Sequence, residues 1–126
     1  MKILAFDTAM AACSAAVVDP SLPEPLAAAY VDMDRGQAEA LAPMVEAVMA
    51  KAELGFSDID RLAVTIGPGT FTGIRIGLAL AQGLSVARGI PVIGIDSLSA
   101  IAANEAAPRP LLVTSDARNG EVYAAV

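Results

Sequence analysis

A chain of 126 residues with a net charge of −6, 56% hydrophobic residues and a mean hydropathy of +0.60 can bury one ordinary core and is not disordered. Its 8 lysines and arginines form no basic run, so it lacks the clustered cations that track nucleic-acid phosphates. The absence of histidine and the single cysteine exclude an intrachain disulfide, a histidine-based triad and a zinc or iron site built from soft or imidazole ligands.

Hydrophobic periodicity predicts strands over 2–7, 12–18 and 26–32, a helix over 37–53, a strand over 61–66, a helix over 70–88, a strand over 91–95, a helix over 97–106, and strands over 111–116 and 121–126. The first three strands have short connections, the second rich in proline (Pro20, Pro23, Pro25), which suits an antiparallel meander. The later alternation of strand and helix implies parallel strands with crossover helices, hence an α/β fold on a mixed sheet. No stretch reaches the ~20 uninterrupted apolar residues of a membrane span. At the N-terminus, Asp7 breaks the apolar run and only Lys2 supplies positive charge, which does not read as a signal peptide. The expectation is a protein of a reducing compartment, by default the cytoplasm.

The most informative stretch is Gly67-Pro68-Gly69-Thr70-Phe71-Thr72-Gly73-Ile74-Arg75-Ile76-Gly77, which joins the strand ending at Ile66 to the long apolar helix. Backbone N–H groups at such a junction favour anions, and glycines let a ligand or another backbone come close. Familiar motifs do not fit. A Walker A loop needs a lysine, and the chain has only Lys2 and Lys51. Gly67, Gly69 and Gly73 give G-x-G-x-x-x-G in place of the dinucleotide spacing G-x-G-x-x-G.

The phrase GPGTFTGIRIGLALAQGL nevertheless resembles the signature of the TsaB/YeaZ family. So do Ile3-Leu4-Ala5-Phe6-Asp7-Thr8-Ala9 with Ala12-Cys13-Ser14, the segment Arg35 to Pro43, Ile90-Pro91-Val92-Ile93-Gly94-Ile95, and Asp116-Ala117-Arg118-Asn119-Gly120-Glu121-Val122-Tyr123. The resemblance implies an actin-like ATPase fold and a non-catalytic subunit that binds and activates TsaD in threonylcarbamoyl transfer to tRNA adenosine. It also implies TsaE in the same complex, a homodimer when the partner is absent, no required cofactor, and ATP or ADP bound at most weakly. An actin-like ATPase or small-molecule kinase is the alternative. A glycoprotease-like peptidase has least support, and Gln37 stands where many family members carry a histidine, which removes acid-base chemistry there.

The form strand, Asp, turn, strand occurs twice, at Lys2 to Val18 and at Leu111 to Val126. This restart predicts a first lobe over 1–110 and the opening hairpin of a second over 111–126, with roughly a hundred further residues to follow given ordinary lobe sizes. By resemblance Asp7 and Asp116 would face each other across an interlobe cleft, with Gly67, Gly69 and Thr70 completing the candidate nucleotide contacts. The loop after Asp7 lacks a phosphate-wrapping glycine, so turn capping is the competing reading for Asp7. Cys13, in a small-residue strand with no basic neighbour, reads as a structural thiol.

On the 70–88 helix, Gly73, Gly77, Ala81 and Ser85 recur every four residues, with Phe71, Ile74 and Leu78 on one flank and Ile76, Leu80 and Leu84 on another. The preceding helix carries Leu41, Val45, Val48 and Met49 on one stripe, interrupted by Pro43, which should kink it unless the helix begins there. Two readings stay open. Either these residues face the domain's own core, or Gly73, Ile74, Gly77, Leu78 and Ala81, with Met44 and Val48, form a helix-on-helix interface with a partner. Arg75 is expected to pair with an acid of this chain or of that partner.

Overall fold

The computed structural model describes residues 1–104, 112–118 and 121–125. A five-stranded mixed sheet has the order β3-β2-β1-β4-β5, built from β1 (Ile3–Asp7), β2 (Ala12–Val18), β3 (Ala27–Asp32), β4 (Arg61–Gly67) and β5 (Val92–Asp96). β1 to β3 pair antiparallel, while β1, β4 and β5 run parallel. The meander and the parallel half expected from connection lengths are therefore both present. Helix α1 (Gln37–Lys51) connects the meander to β4, α2 (Phe71–Arg88) connects β4 to β5, and α3 (Ser97–Ala102) follows β5.

Register explains the core. Because side chains alternate across a strand, the pairings Val17–Leu4–Leu62 and Ala15–Phe6–Val64 lay rows of apolar side chains across one face of the sheet. All six are buried, and α1 covers them with Leu41, Val45, Val48 and Met49 while α2 adds Ala81. Each fully buried leucine among them is worth about 2 kcal/mol by area burial. The opposite face carries small residues, among them Ala5, Ala16 and Ala63, and is only half-covered.

Helix ends follow local chemistry. Thr70 caps α2, its Oγ1 accepting from Gly73 N–H at 3.0 Å, and Gly89 closes the helix in the left-handed region at φ +68. Asp96 caps α3 by accepting from Ser99 N–H at 2.8 Å. α1 begins at Gln37, six residues before Pro43, and continues through it; the proline is exposed, so the carbonyl it leaves without an intrahelical donor lies on the solvent side. α1 ends in a Schellman-like turn, with Glu53 at φ 58 and Leu54 N–H donating to Met49 O at 3.1 Å.

β6 (Val113–Arg118) and β7 (Glu121–Ala125) form a separate antiparallel hairpin, so the strand-Asp-turn-strand repeat seen in the sequence corresponds to two hairpins, β1–β2 and β6–β7. β6 begins at Val113 where periodicity placed it at 111, and α3 closes at Ala102. The expected extension of α3 to 106 falls partly on residues outside those described.

Candidate functional site

The junction between β4 and α2 is packed against the turn that follows β1. Thr70 N–H donates to Ala9 O at 2.7 Å, and the Thr8 hydroxyl, 1% exposed, donates to Gly73 O at 2.6 Å. A Cβ on Gly69 would lie 2.8 Å from Ala9 Cβ and closer still to its carbonyl, and one on Gly73 would meet Thr8 O and Thr70 Oγ1. These glycines are required because two backbones of the same chain touch here. Gly67 has φ +112, a left-handed conformation that glycine tolerates at no steric cost.

The four candidate nucleotide contacts, Asp7, Gly67, Gly69 and Thr70, do converge on one corner. Of their hydrogen-bonding groups, Asp7 Oδ1 and the N–H and hydroxyl oxygen of Thr70 are engaged within the chain. Asp7 Oδ1 accepts from Ala9 N–H at 2.8 Å and from the Thr65 hydroxyl, the geometry of turn capping at a strand end. Thr70 N–H, which a phosphate would need, already serves Ala9. Beside Asp7, a trough of about 1,040 Å³ runs along the second face of the sheet, lined by Asp7, Thr65, Met10, Ala16, Tyr30 and Ser97. Asp116 lies in β6, but its side chain is outside what the structure describes. Among the described residues no group of histidine, cysteine or carboxylate side chains could hold a metal ion. No described helix is long and apolar enough to cross a membrane.

Of the two readings left open for the small-residue stripe, the structure shows Gly73, Gly77 and Ala81 facing this chain's own core. Gly73, Gly77 and Ala81 are buried, and a Cβ on Gly77 would stand 3.0 Å from Val64 Cγ2 and 3.1 Å from Thr8 Oγ1. Val48 is 2% exposed within the core, and Met44 is half-buried with its sulfur 3.8 Å from Cys13 Sγ. Ile74 and Leu78 are half-buried flanks. The small residues at every fourth position bring α2 down onto β4 and the β1 turn; an inward and an outward stripe leave the same sequence pattern, so spacing alone could not choose.

What α2 shows to solvent is the complementary face. Phe71 is 75% and Val86 88% exposed, and Thr72, Arg75, Ala79, Gln82 and Gly83 lie on the same side. A Cβ on Gly83 would meet nothing within 4 Å, so packing inside this chain does not call for a glycine there. Its signal in the sequence is a mid-helix glycine out of step with Gly73, Gly77 and Ala81. Arg75 has its guanidinium 5.1 Å from the Phe71 ring centroid, a cation–π contact within the helix.

The remaining candidates are structural. Cys13 is fully buried, and burial foremost, then the nearby Asp7 charge, pushes its thiol pKa up, the opposite of an activated nucleophile. Gln37 is 9% exposed and donates from Nε2 to Met33 O at 3.1 Å and Met10 O at 3.4 Å, fastening the start of α1 to the β1–β2 connection.

The family model described as TsaD, tRNA N6-adenosine threonylcarbamoyltransferase, matches residues 32–126. The tRNA threonylcarbamoyladenosine biosynthesis protein TsaB of Escherichia coli (strain K12) is 38% identical over 98% of this chain and 53% of its own length. The structure of YeaZ from Pseudomonas aeruginosa superposes with a TM-score of 0.86 at 34% identity, covering 98% of this chain and 58% of that one. A tRNA N6-adenosine threonylcarbamoyltransferase of Erythrobacter litoralis is 45% identical over 51% of this chain and 19% of its own. The chain thus spans about half the length of the TsaB relative it matches. The mixed sheet with flanking helices is the actin-like arrangement these proteins share, and by sequence and structure the chain belongs to the TsaB/YeaZ family.

Proposed function

We propose that this chain is the partner-binding lobe of a TsaB-like subunit in tRNA threonylcarbamoyladenosine biosynthesis, which docks on and activates a TsaD-family threonylcarbamoyltransferase and performs no chemistry itself. One observation carries the reading. α2 carries Gly83 in its exposed interior, where glycine costs about 1 kcal/mol relative to alanine and a Cβ would meet nothing within 4 Å among the described residues. A helix face of Ala79, Gly83 and the exposed Val86 lets another helix backbone approach closely, and Phe71 with Arg75 supplies the aromatic and guanidinium anchors typical of interface hot spots. The docking face is on this reading the outward one, a quarter-turn or more away from the glycine stripe.

The acidic balance of the chain suits this role, since a partner would then hold the tRNA. No cofactor of its own is called for, and TsaE would join through the same complex. The test is sedimentation velocity of this chain with the TsaD-family protein of the same organism, for the unaltered chain and for Val86→Asp and Gly83→Leu. A heterodimer lost in both variants, with far-UV circular dichroism unchanged, is the expected result. Binding that survives both substitutions would overturn the assignment of the face. Self-association that excludes the partner protein would favour a homodimer on it.

A further inference from the structure

The turn after β1 holds the first turn of α2 by contacts that helix formation does not itself require. Gly73 O already has an intrahelical donor position at Gly77 N–H, and the Thr8 hydroxyl is a second donor to it at 2.6 Å. Thr70 N–H is anchored to Ala9 O at 2.7 Å, and the Thr70 side chain returns to cap Gly73 N–H at 3.0 Å. The turn is itself fixed to β4, because Asp7 Oδ1 takes both Ala9 N–H and the Thr65 hydroxyl. Phe71 and Arg75 each stand two residues from Gly73, about 200° around the helix, so they project on the side away from this clamp.

We infer that Thr8 is a positioning residue for the partner-facing end of α2: its hydroxyl fixes the depth and rotation at which Phe71 and Arg75 meet a docking protein. The inference rests on the docking reading above. Thr8 is 1% exposed, too buried to meet a docking protein itself, so it acts through Gly73. The consequence is that affinity is tuned from the β1 turn as well as from the exposed surface. Valine is close to threonine in size and removes the donor, putting a methyl where the hydroxyl meets Gly73 O at 2.6 Å, whereas serine keeps the donor and loses one methyl.

The experiment measures the dissociation constant for the TsaD-family protein of the same organism with the unaltered chain, Thr8→Val and Thr8→Ser, alongside amide hydrogen exchange over residues 72–76. Thr8→Val is expected to speed exchange in the first turns of α2 and to weaken binding by up to about tenfold, the ceiling set by one buried hydrogen bond whose loss lets that end of the helix shift. Thr8→Ser should stay within about threefold of the unaltered chain, on the same hydrogen-bond argument. Equal binding by Thr8→Val, or a loss in Thr8→Ser as large as in Thr8→Val, would overturn the positioning role. If the unaltered chain does not bind, the docking reading fails and this inference falls with it. If docking stands and exchange in α2 is unchanged in Thr8→Val, only the role of Thr8 is refuted. Should Thr8→Val not fold, Thr8→Ala, which also removes the donor, takes its place, compared with Thr8→Ser.

Discussion

Replacing Gly73, Gly77 and Gly83 in turn by alanine applies one chemical change at three points of one helix. Helix propensity favours each substitution, by about 1 kcal/mol in the interior and less near the capped first turn. Differences among the three therefore report what the new methyl meets. At Gly83 it meets nothing within 4 Å, so Gly83→Ala should stabilise by about 0.5–1 kcal/mol. At Gly77 it meets Val64 Cγ2 at 3.0 Å and Thr8 Oγ1 at 3.1 Å, both on buried side chains, and overpacking of about 1–3 kcal/mol should more than cancel the gain. At Gly73 it overlaps the Thr8 carbonyl, a backbone atom that cannot rotate away, so the loss should be largest, about 3 kcal/mol or more. Thermal and urea unfolding followed by circular dichroism resolves the series, since 1 kcal/mol moves Tm by about 4 °C for 126 residues. Three variants within about 0.5 kcal/mol of one another, or a destabilised Gly83→Ala, would refute the inward placement of the stripe.

Further outcomes follow from single contacts. Asp19 accepts from Lys2 Nζ at 2.8 Å and from Ser21, and these bonds hold its carboxyl well below the usual aspartate range. That stabilisation is fully present above the ordinary aspartate pKa and lost as pH falls through the lowered native value; Asp19→Asn should flatten the acid limb of the stability profile below about pH 4. Cys13 has the opposite sign: its raised thiol pKa contributes stability that is intact below the ordinary thiol pKa and fades as pH rises through the native value. Cys13→Ser should remove that alkaline limb, and the thiol of the native chain should react with a disulfide reagent only as fast as the protein opens. Gln37→Ala strips the donor from Met33 O and Met10 O and should cost about 1–2 kcal/mol in urea unfolding, with glutamate at this position no better, because it cannot donate.

The sheet was legible because strand alternation and connection length are local signals. Ala12 to Val18 alternates buried and half-buried residue by residue, and the proline-rich link before β3 marks a short antiparallel return. α1 was legible as a helix over 37–53, and the structure shows that it does not begin at Pro43: it runs from Gln37 to Lys51, with the proline on its exposed side. The functional corner was legible as a place and not as a partner. GPGTFTG announces a close backbone approach, but sequence cannot say whether the approaching backbone is foreign; Thr8 and Ala9, some sixty residues upstream, supply it. Gly83 and Val86 went unnoticed because they break the four-residue rhythm that drew attention to their neighbours.

That division has a physical basis. A helix lying flat on a sheet at close range needs small side chains beneath it, and the same smallness lowers the bulk that would otherwise announce an amphipathic face. α2 therefore shows little contrast between its sides: Gly73, Gly77 and Ala81 below, Ala79 and Gly83 above. At Gly73 and Gly77 the lower set is fixed by sterics, an added Cβ meeting neighbours at 3.1 Å or less. The upper set is free of internal constraint, so alanine at 83 should improve the isolated fold while adding a methyl group to the surface where a partner would dock. Gly83→Ala should accordingly raise the unfolding midpoint and weaken the complex together. A variant that gained stability with no loss of binding would leave the glycine at 83 without a reason in either the fold or the interface.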